Sequence, residues 1–182
     1  MKYLLAFAAV AGLAGVASAD GFYFRVAVGP SFTHGSLDAP ATTSTSNGAG
    51  VSTQIAVGWS VRPGLVIGAG TFPAITPGPS YSAVDAGGQH VSATGPFVDY
   101  YVTDGVHAFA GALFAAGYLD GGDRDSHVGL GWGATAGVGY DHAVSTKWSL
   151  GGIARVTIYQ LYGVDDSITL VAPAALFTAT YR

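Results

Sequence analysis

The chain has 182 residues, a length typical of one domain, and it contains no cysteine, which excludes disulfide bonds and thiol chemistry. Its formal net charge is −4, and only 7 residues are Lys or Arg. This balance excludes the basic face that nucleic-acid binding needs, so we expect no nucleic-acid partner.

The N-terminus has the pattern of a secretory signal peptide. Lys2 is followed by an apolar run from Tyr3 to Val16, and residues 17–19 read Ala-Ser-Ala, which is a typical cleavage site. A transmembrane anchor is the alternative, but a spanning helix needs about 20 apolar residues and this run is shorter. We therefore predict a signal peptide at residues 1–19 and a mature domain at residues 20–182.

The first two predicted strands separate apolar from polar side chains by parity. At residues 22–32 the even positions are Phe, Val or Pro, while the odd positions include Tyr23 and Arg25. Residues 51–61 alternate in the same way, with Val, Ile and Trp against Ser, Gln and Gly. A period of two is typical of a strand with two different environments. The weakly apolar residues 33–50 between them predict a long mobile loop.

The third and fourth predicted strands lie at residues 65–75 and 92–102. The third follows the turn sequence Arg-Pro-Gly at residues 62–64, and glycines weaken its parity. The fourth places Phe97, Asp99 and Tyr101 on one parity. The Pro- and Gly-rich residues 76–91 predict a second long loop.

The second half of the chain contains four more predicted strands. They cover residues 107–118, 129–140, 148–159 and 168–181. The first of these is rich in alanine and its parity is ambiguous, but residues 129–140 alternate clearly, with five glycines and a threonine on one parity. Thr103-Asp104-Gly105 and residues 141–147 predict short turns, and residues 119–128 and 160–167 predict polar loops.

The connections alternate between long and short, as an up-and-down barrel requires when one end faces the outside and the other the periplasm. Each predicted strand has about 10 to 12 residues, the length of a tilted membrane-spanning strand. The sequence therefore predicts an all-β fold, an eight-stranded antiparallel up-and-down transmembrane β-barrel in the outer membrane.

The bulk of the apolar parity decides which face points outward. A soluble barrel would place this parity inside, but eight strands leave an interior only wide enough for a few side chains. We therefore predict that the apolar parity faces lipid and that large aromatics near the strand ends form girdles at the membrane boundary. The predicted girdle residues are Trp59, Tyr100, Trp132, Tyr140 and Trp148.

The polar parity predicts a network inside the lumen. Its members are Arg25, Gln54, Asp99, Tyr101, Arg155 and Tyr159. Arg25 is near the start of the first strand and Asp99 near the end of the fourth, so both lie toward the periplasmic end. Because a buried charge needs a partner, we expect these two side chains to meet, with Gln54 and Arg155 higher in the barrel. We interpret the network as a structural plug, with a gated or proton-linked path as the alternative.

The last strand resembles the assembly signal of a known family. Phe177 and Tyr181 alternate with small or polar residues up to the penultimate position, and Arg182 follows the aromatic where the family's chains end. With the signal peptide and the alternating strands, the whole chain resembles the small outer-membrane β-barrels of the OmpA, OmpX and OmpW-like families. The resemblance implies contact with outer-membrane lipid and lipopolysaccharide, insertion by the barrel-assembly machinery, and a monomer.

Other polar clusters have weaker patterns. Asp120, Asp123, Asp125 and His127 have oxygen-rich spacing but lack the full calcium-loop pattern, so a solvated turn is the preferred interpretation, as it is for residues 165–166. The five histidines have no tight metal-ligand spacing, and we expect surface positions and no metal. They are His34, His90, His107, His127 and His142.

We predict a non-catalytic outer-membrane barrel with a structural or surface-interaction role and without a cofactor. A narrow channel or lateral passage for small or hydrophobic molecules is the first alternative. A lipid-modifying enzyme is the second, because Ser126 adjoins His127 and Ser145 is near His142. Catalysis would need the serine and histidine at hydrogen-bond distance.

Overall fold

The computed structural model describes residues 21–39, 42–78, 80–81, 88–121, 124–163 and 167–182. Within these ranges the fold is all-β. The strands are β1 (Phe22–Ala39), β2 (Thr42–Arg62), β3 (Leu65–Thr71), β4 (Ala74–Pro77), β5 (Ser80–Tyr81), β6 (Gly88–Tyr101), β7 (Val106–Gly121), β8 (Arg124–Ala143), β9 (Trp148–Tyr162) and β10 (Ser167–Tyr181). The described part of the chain holds no helix long and apolar enough to cross a membrane.

The strands close into a barrel. Sequence neighbours pair antiparallel around the ring, and β1 pairs with β10 as well as with β2. Segments β3 and β4 both lie between β2 and β6, so together they occupy one position in the wall. The ring therefore has eight positions, which confirms the predicted barrel. The described strands close on themselves and leave no free edge in the wall. A β-sheet in lipid must be closed in this way, because unpaired edge groups would have no water to bond to.

The outward face of the wall is apolar, unlike the surface of a soluble protein. Large apolar side chains point outward, with Phe114 80% and Phe177 76% exposed. The lumen holds charged and polar side chains as well as apolar ones, and Arg25 and Asp99 there are 0% exposed. An apolar outer band around charged and polar interior groups is the arrangement of a transmembrane barrel.

Large aromatics mark both ends of the outer band. All five predicted girdle residues face outward and are between 36% and 57% exposed. Trp59, Tyr100, Tyr140 and Trp148 are near the short turns, whereas Trp132 is well inside β8. Trp132 pairs with Gln160, and Gln160 pairs with Thr169, so a polar row begins at its level.

The predicted loop at residues 33–50 is wrong. Most of it is a continuation of β1 and β2, with Leu37 paired to Ser44 and Gly35 to Ser46. Thr33, Ser44 and Ser46 are buried inside this extension. Beyond the membrane an outward side chain need not be apolar, so the ladder of backbone hydrogen bonds continues without the alternation that marks the membrane part.

Three more predicted loops are too long, because the strands extend into them. Segments β4 and β5 and the start of β6 occupy parts of residues 76–91, and β7 and β8 extend into residues 119–128. Similarly, β9 continues to Tyr162 and β10 begins at Ser167, which shortens the predicted loop at 160–167. Strand pairing, rather than hydrophobic alternation, sets these ends.

The third predicted strand is interrupted at Phe72 and Pro73. The pairs on either side, Ile55 with Thr71 and Val51 with Ile75, place Pro73 opposite Thr53. The Thr53 amide donates to the Pro73 carbonyl at 3.1 Å. Proline has no N–H to return, so the Thr53 carbonyl receives no bond from the ladder.

Candidate functional site

A charged cluster fills the lumen at the end that carries the short turns, and Arg25 is at its centre. Arg25 Nη1 lies 2.9 Å from Asp99 Oδ2, and Arg25 Nη2 lies 3.1 Å from Asp141 Oδ2. The structure thus brings together Arg25 and Asp99, the pair expected from the sequence. It adds a second carboxylate, so one guanidinium bridges two acids from different strands.

Hydroxyl groups complete the cluster. Arg25 Nε donates to Thr180 Oγ1 at 3.0 Å, and Arg25 Nη2 donates to the Tyr101 hydroxyl at 2.8 Å. Tyr101 in turn donates to Asp141 Oδ2 at 2.8 Å, and Tyr23 donates to Asp99 Oδ2 at 3.0 Å. Each charged group therefore has several partners, which offsets the cost of removing it from water.

His107 belongs to this cluster, and its predicted surface position is wrong. The side chain is 1% exposed, and Nδ1 lies 2.9 Å from Asp99 Oδ1. The ring stacks on Tyr101 with centroids 4.9 Å apart. The alanines of β7 gave both parities an apolar character, so the sequence did not reveal that His107 faces inward.

Asp141 is the second functional residue missed in the sequence. It was predicted to lie in a short turn, but β8 continues to Ala143, and Asp141 therefore extends the inward glycine parity. Thr178 Oγ1 donates to Asp141 Oδ1 at 3.1 Å. Continuing the alternation of residues 129–140 by one more step would have placed this carboxylate in the lumen.

Arg155 and Tyr159 face inward as predicted, but they do not join the Arg25 cluster. Instead, both reach across the lumen to the interruption in the third wall position. Arg155 Nη1 donates to the unpaired Thr53 carbonyl at 3.0 Å, and Tyr159 donates to the Phe72 carbonyl at 2.8 Å. The Arg155 guanidinium also lies 5.6 Å from the centre of the Phe72 ring. These two side chains thus supply the donors that the broken ladder lacks.

The glycine parity of β8 creates the space for this crowded interior. Gly137 pairs with Arg155, and Gly133 pairs with Tyr159. A Cβ at Gly137 would collide with the Phe109 ring, and a Cβ at Gly139 would collide with the His107 ring. At these two positions the free volume is therefore used by side chains of the neighbouring strand β7.

Apolar and uncharged polar side chains together fill the loop-side half of the described lumen. Val91, Leu161 and Leu170 are each at most 3% exposed there, and so are Thr76 and Gln89. At the opposite end a cavity of about 280 Å³ is lined by Tyr23, Tyr101 and Arg182 among others. Buried side chains thus occupy the described lumen at three levels: a charged level near the turns, an arginine and aromatic level, and a mixed level of apolar and uncharged polar groups.

The C-terminal strand closes the ring with an aromatic contact. The Tyr181 ring lies 5.3 Å from that of Trp148 and 6.1 Å from that of Phe22, between centroids. Phe177 points outward. Arg182, which follows the aromatic, donates from Nη2 to the Asp104 carbonyl at 2.6 Å and lies 4.2 Å from the Tyr101 ring centre.

The other described histidines and Ser145 lie outside the Arg25 cluster. His34, His90 and His142 are exposed. The Ser145 hydroxyl accepts hydrogen bonds from the backbone amides of Lys147 and Trp148, and it thereby stabilises the turn. Residues 165–166 and the side chains of the predicted acidic loop, including Ser126 and His127, lie outside the described residues.

Comparison with known proteins supports the architecture alone. No protein-family model matches the sequence, and no curated protein matches it. Among solved structures, Neisserial surface protein A is 18% identical and aligns over 87% of this chain and 96% of its own, with a TM-score of 0.54. The outer membrane protein AlkL is 12% identical over 89% of this chain and 90% of its own, with a TM-score of 0.55.

The attachment invasion locus protein Ail of Yersinia pestis is also similar, with 11% identity over 88% of this chain and 99% of its own and a TM-score of 0.51. The chain has the fold of the small outer-membrane β-barrels. At these identities the likeness extends to the fold and not to a particular activity. The role of this barrel must therefore be argued from its own lumen and hairpins.

Proposed function

We propose that this protein is a non-catalytic outer-membrane barrel with a plugged lumen and a structural or surface-interaction role. The observation that carries the proposal is the Arg25 cluster, in which two carboxylates, two tyrosines and a histidine surround one buried guanidinium. A solute passing through would have to separate these groups. Breaking one buried charge pair costs about 3–5 kcal/mol, so an open state would be rarely populated.

Single-channel recording of the refolded protein in planar bilayers tests this proposal. We expect no stable current, because buried side chains fill the described lumen both at the charged level and in the loop-side half. Heat-modifiable gel mobility of the same sample provides the control that the barrel has folded. A reproducible open state in folded protein would contradict the plugged lumen.

The extended hairpin of β1 and β2 supports the surface-interaction role. Its strands continue beyond the membrane band as an ordered polar ladder, and His34 Nδ1 lies 2.7 Å from Asn47 Oδ1 on its exposed side. Residues 33–50 contain no Lys or Arg. A structure of Ail holds the heparin analogue sucrose octasulfate, but this ladder carries Asp38 and no Lys or Arg, which favours neutral polar partners over sulfated ones. Lipid and lipopolysaccharide would contact the outer band of a monomeric barrel inserted by the assembly machinery.

A lateral passage for small apolar molecules is the second candidate, and the wall interruption at Phe72–Pro73 favours it. There the ladder lacks a hydrogen bond, and Arg155 and Tyr159 hold its carbonyls from inside. Naphthalene uptake by cells with and without the protein would test this role. Pro73→Ala restores the missing N–H, so it should reduce uptake if the break is the route. Equal uptake in all three strains would exclude it.

Catalysis on lipids has less support in the described residues. The Ser145 hydroxyl bonds to turn amides, and His142 is exposed on β8. Lipid A profiles of cells with and without the gene give the direct test, and we expect identical profiles. A changed acylation pattern would contradict the non-catalytic proposal.

A further inference from the structure

Arg155 has unused hydrogen-bonding capacity in a buried position. The residue is 2% exposed. Its Nη1 donates to the Thr53 carbonyl, but its Nε and Nη2 have no hydrogen-bond partner among the described residues. A guanidinium keeps its charge in proteins and offers five N–H donors. Burying two of its nitrogens without an acceptor is costly, so an acceptor bound at this position would stabilise the folded protein.

The buried acids of the described lumen are too far from Arg155 to bond to its free nitrogens. Asp99 and Asp141 are the buried acids among the described residues, and both are bound to Arg25. The Arg155 guanidinium lies at the Thr53 carbonyl, and Thr53 is three residues before Ala56, which pairs with Arg25. Three residues of strand span roughly 10 Å. The attraction between unit charges falls to about two fifths between 4 Å and that distance.

Further unpaired polar groups lie beside the Arg155 head. Ser52 and Gln54 flank Thr53 on the inward parity, at 0% and 1% exposure. Within the described part of the chain, neither Ser52 Oγ nor Gln54 Oε1 has a hydrogen-bond partner, and the same is true of Ser31 Oγ. Because Ser31 pairs with Gly50 and Ser52 with Gly29, the two serines are diagonal neighbours across β1 and β2.

We propose that this group binds one small inorganic anion of the chloride class. Arg155 Nε and Nη2 and the hydroxyls of Ser52 and Ser31 all can donate, and the side-chain amide of Gln54 can turn to present its NH₂. A negative ion supplies the countercharge that Arg155 lacks among the described residues, which a neutral water cannot do. The Phe72 ring lies 5.6 Å from the Arg155 guanidinium and stacks on Phe109 at 6.4 Å, which leaves one side of the site apolar. A second negative charge would cost more to bury beside this ring, so we expect a monovalent ion.

Crystals of the refolded barrel soaked in bromide test the site directly. We expect an anomalous peak at hydrogen-bond distance from the Arg155 guanidinium. In solution, we expect chloride to raise the urea midpoint of unfolding relative to gluconate at equal ionic strength, because a ligand that binds only the folded state stabilises it. Arg155→Gln should abolish both the peak and the salt difference.

Two further variants keep the test decisive. Arg182→Gln is the matched control, since Arg182 is an exposed arginine bound to a backbone carbonyl, and it should retain the full chloride effect. If Arg155→Gln does not fold, Ser52→Ala keeps the guanidinium and should weaken the effect. Ordered water without bromide at Arg155, together with equal midpoints in the two salts, would overturn the proposal. Channel measurements are independent of this result.

Discussion

Arg25 and Arg155 are both buried arginines of one lumen, but their surroundings differ. Arg25 bonds to two carboxylates, a tyrosine and a threonine. Arg155 bonds to one backbone carbonyl and faces an aromatic ring. Burial therefore does not by itself define the role of a charged lumen residue. Arg25 links strands by neutralising two acids, whereas Arg155 caps a defect of the wall and retains free donors.

Replacing Arg25 should have the largest effect of the variants considered. Arg25→Met leaves two carboxylates buried together, and such an unpaired charge costs about 3–5 kcal/mol. Urea unfolding of the refolded barrel in lipid vesicles measures the loss. Arg62→Met, at an exposed arginine beside the first turn, should leave the midpoint unchanged. Equal effects at the two positions would show that the cluster does not stabilise the barrel.

An arginine introduced on the outward face tests whether that face lies in lipid. Ala136 faces outward on β8, four residues from Trp132 and four from Tyr140. Ala136→Arg should destabilise the vesicle-inserted barrel by about 2–4 kcal/mol, the cost of a cation near the bilayer midplane. His142→Arg, exposed at the turn end of the same strand, is the control with no expected loss. Tolerance of Ala136→Arg would mean that this face does not meet lipid.

The two acids of the cluster should be coupled through their shared arginine. Asp99→Asn or Asp141→Asn alone leaves Arg25 with one carboxylate, and each should cost about 1–3 kcal/mol. The double variant removes both and should exceed the sum of the singles by about 0.5–3 kcal/mol. The four unfolding curves of this cycle provide the measurement. Simple additivity would contradict a shared guanidinium.

Replacing Arg155 should have the smallest effect in a chloride-free buffer. Arg155→Met loses the bond to the Thr53 carbonyl, but it also removes a buried charge that has no carboxylate partner among the described residues, and the two effects oppose each other. We expect a net change of about 1 kcal/mol or less in the same unfolding assay. A loss as large as that of Arg25→Met would mean that the two arginines are equally well paired.

The sequence predicted the parts of this barrel that depend on alternation. Residues of one parity face lipid and those of the other face the lumen, because a strand places successive side chains on opposite faces. The hairpin at 33–50 escaped prediction because strand ends depend on pairing with a neighbour, which leaves no local signal. Asp141 escaped because the predicted alternation of β8 ends one residue too early. His107 escaped because both parities of β7 are apolar or small. The role of Arg155 at Pro73 escaped because the sequence does not show that Thr53 is the cross-strand partner of this proline.

Alternation along the chain by itself determined the fold class, the lipid face and the set of side chains available to the lumen. Tertiary structure decided which of them meet. Arg25, Asp99 and Asp141 come from β1, β6 and β8, so the register of several strands around the ring had to be set before they shared one cluster. The same ring placed Arg155 opposite a proline instead of an acid, because cross-lumen distances are properties of the closed barrel and not of any single strand.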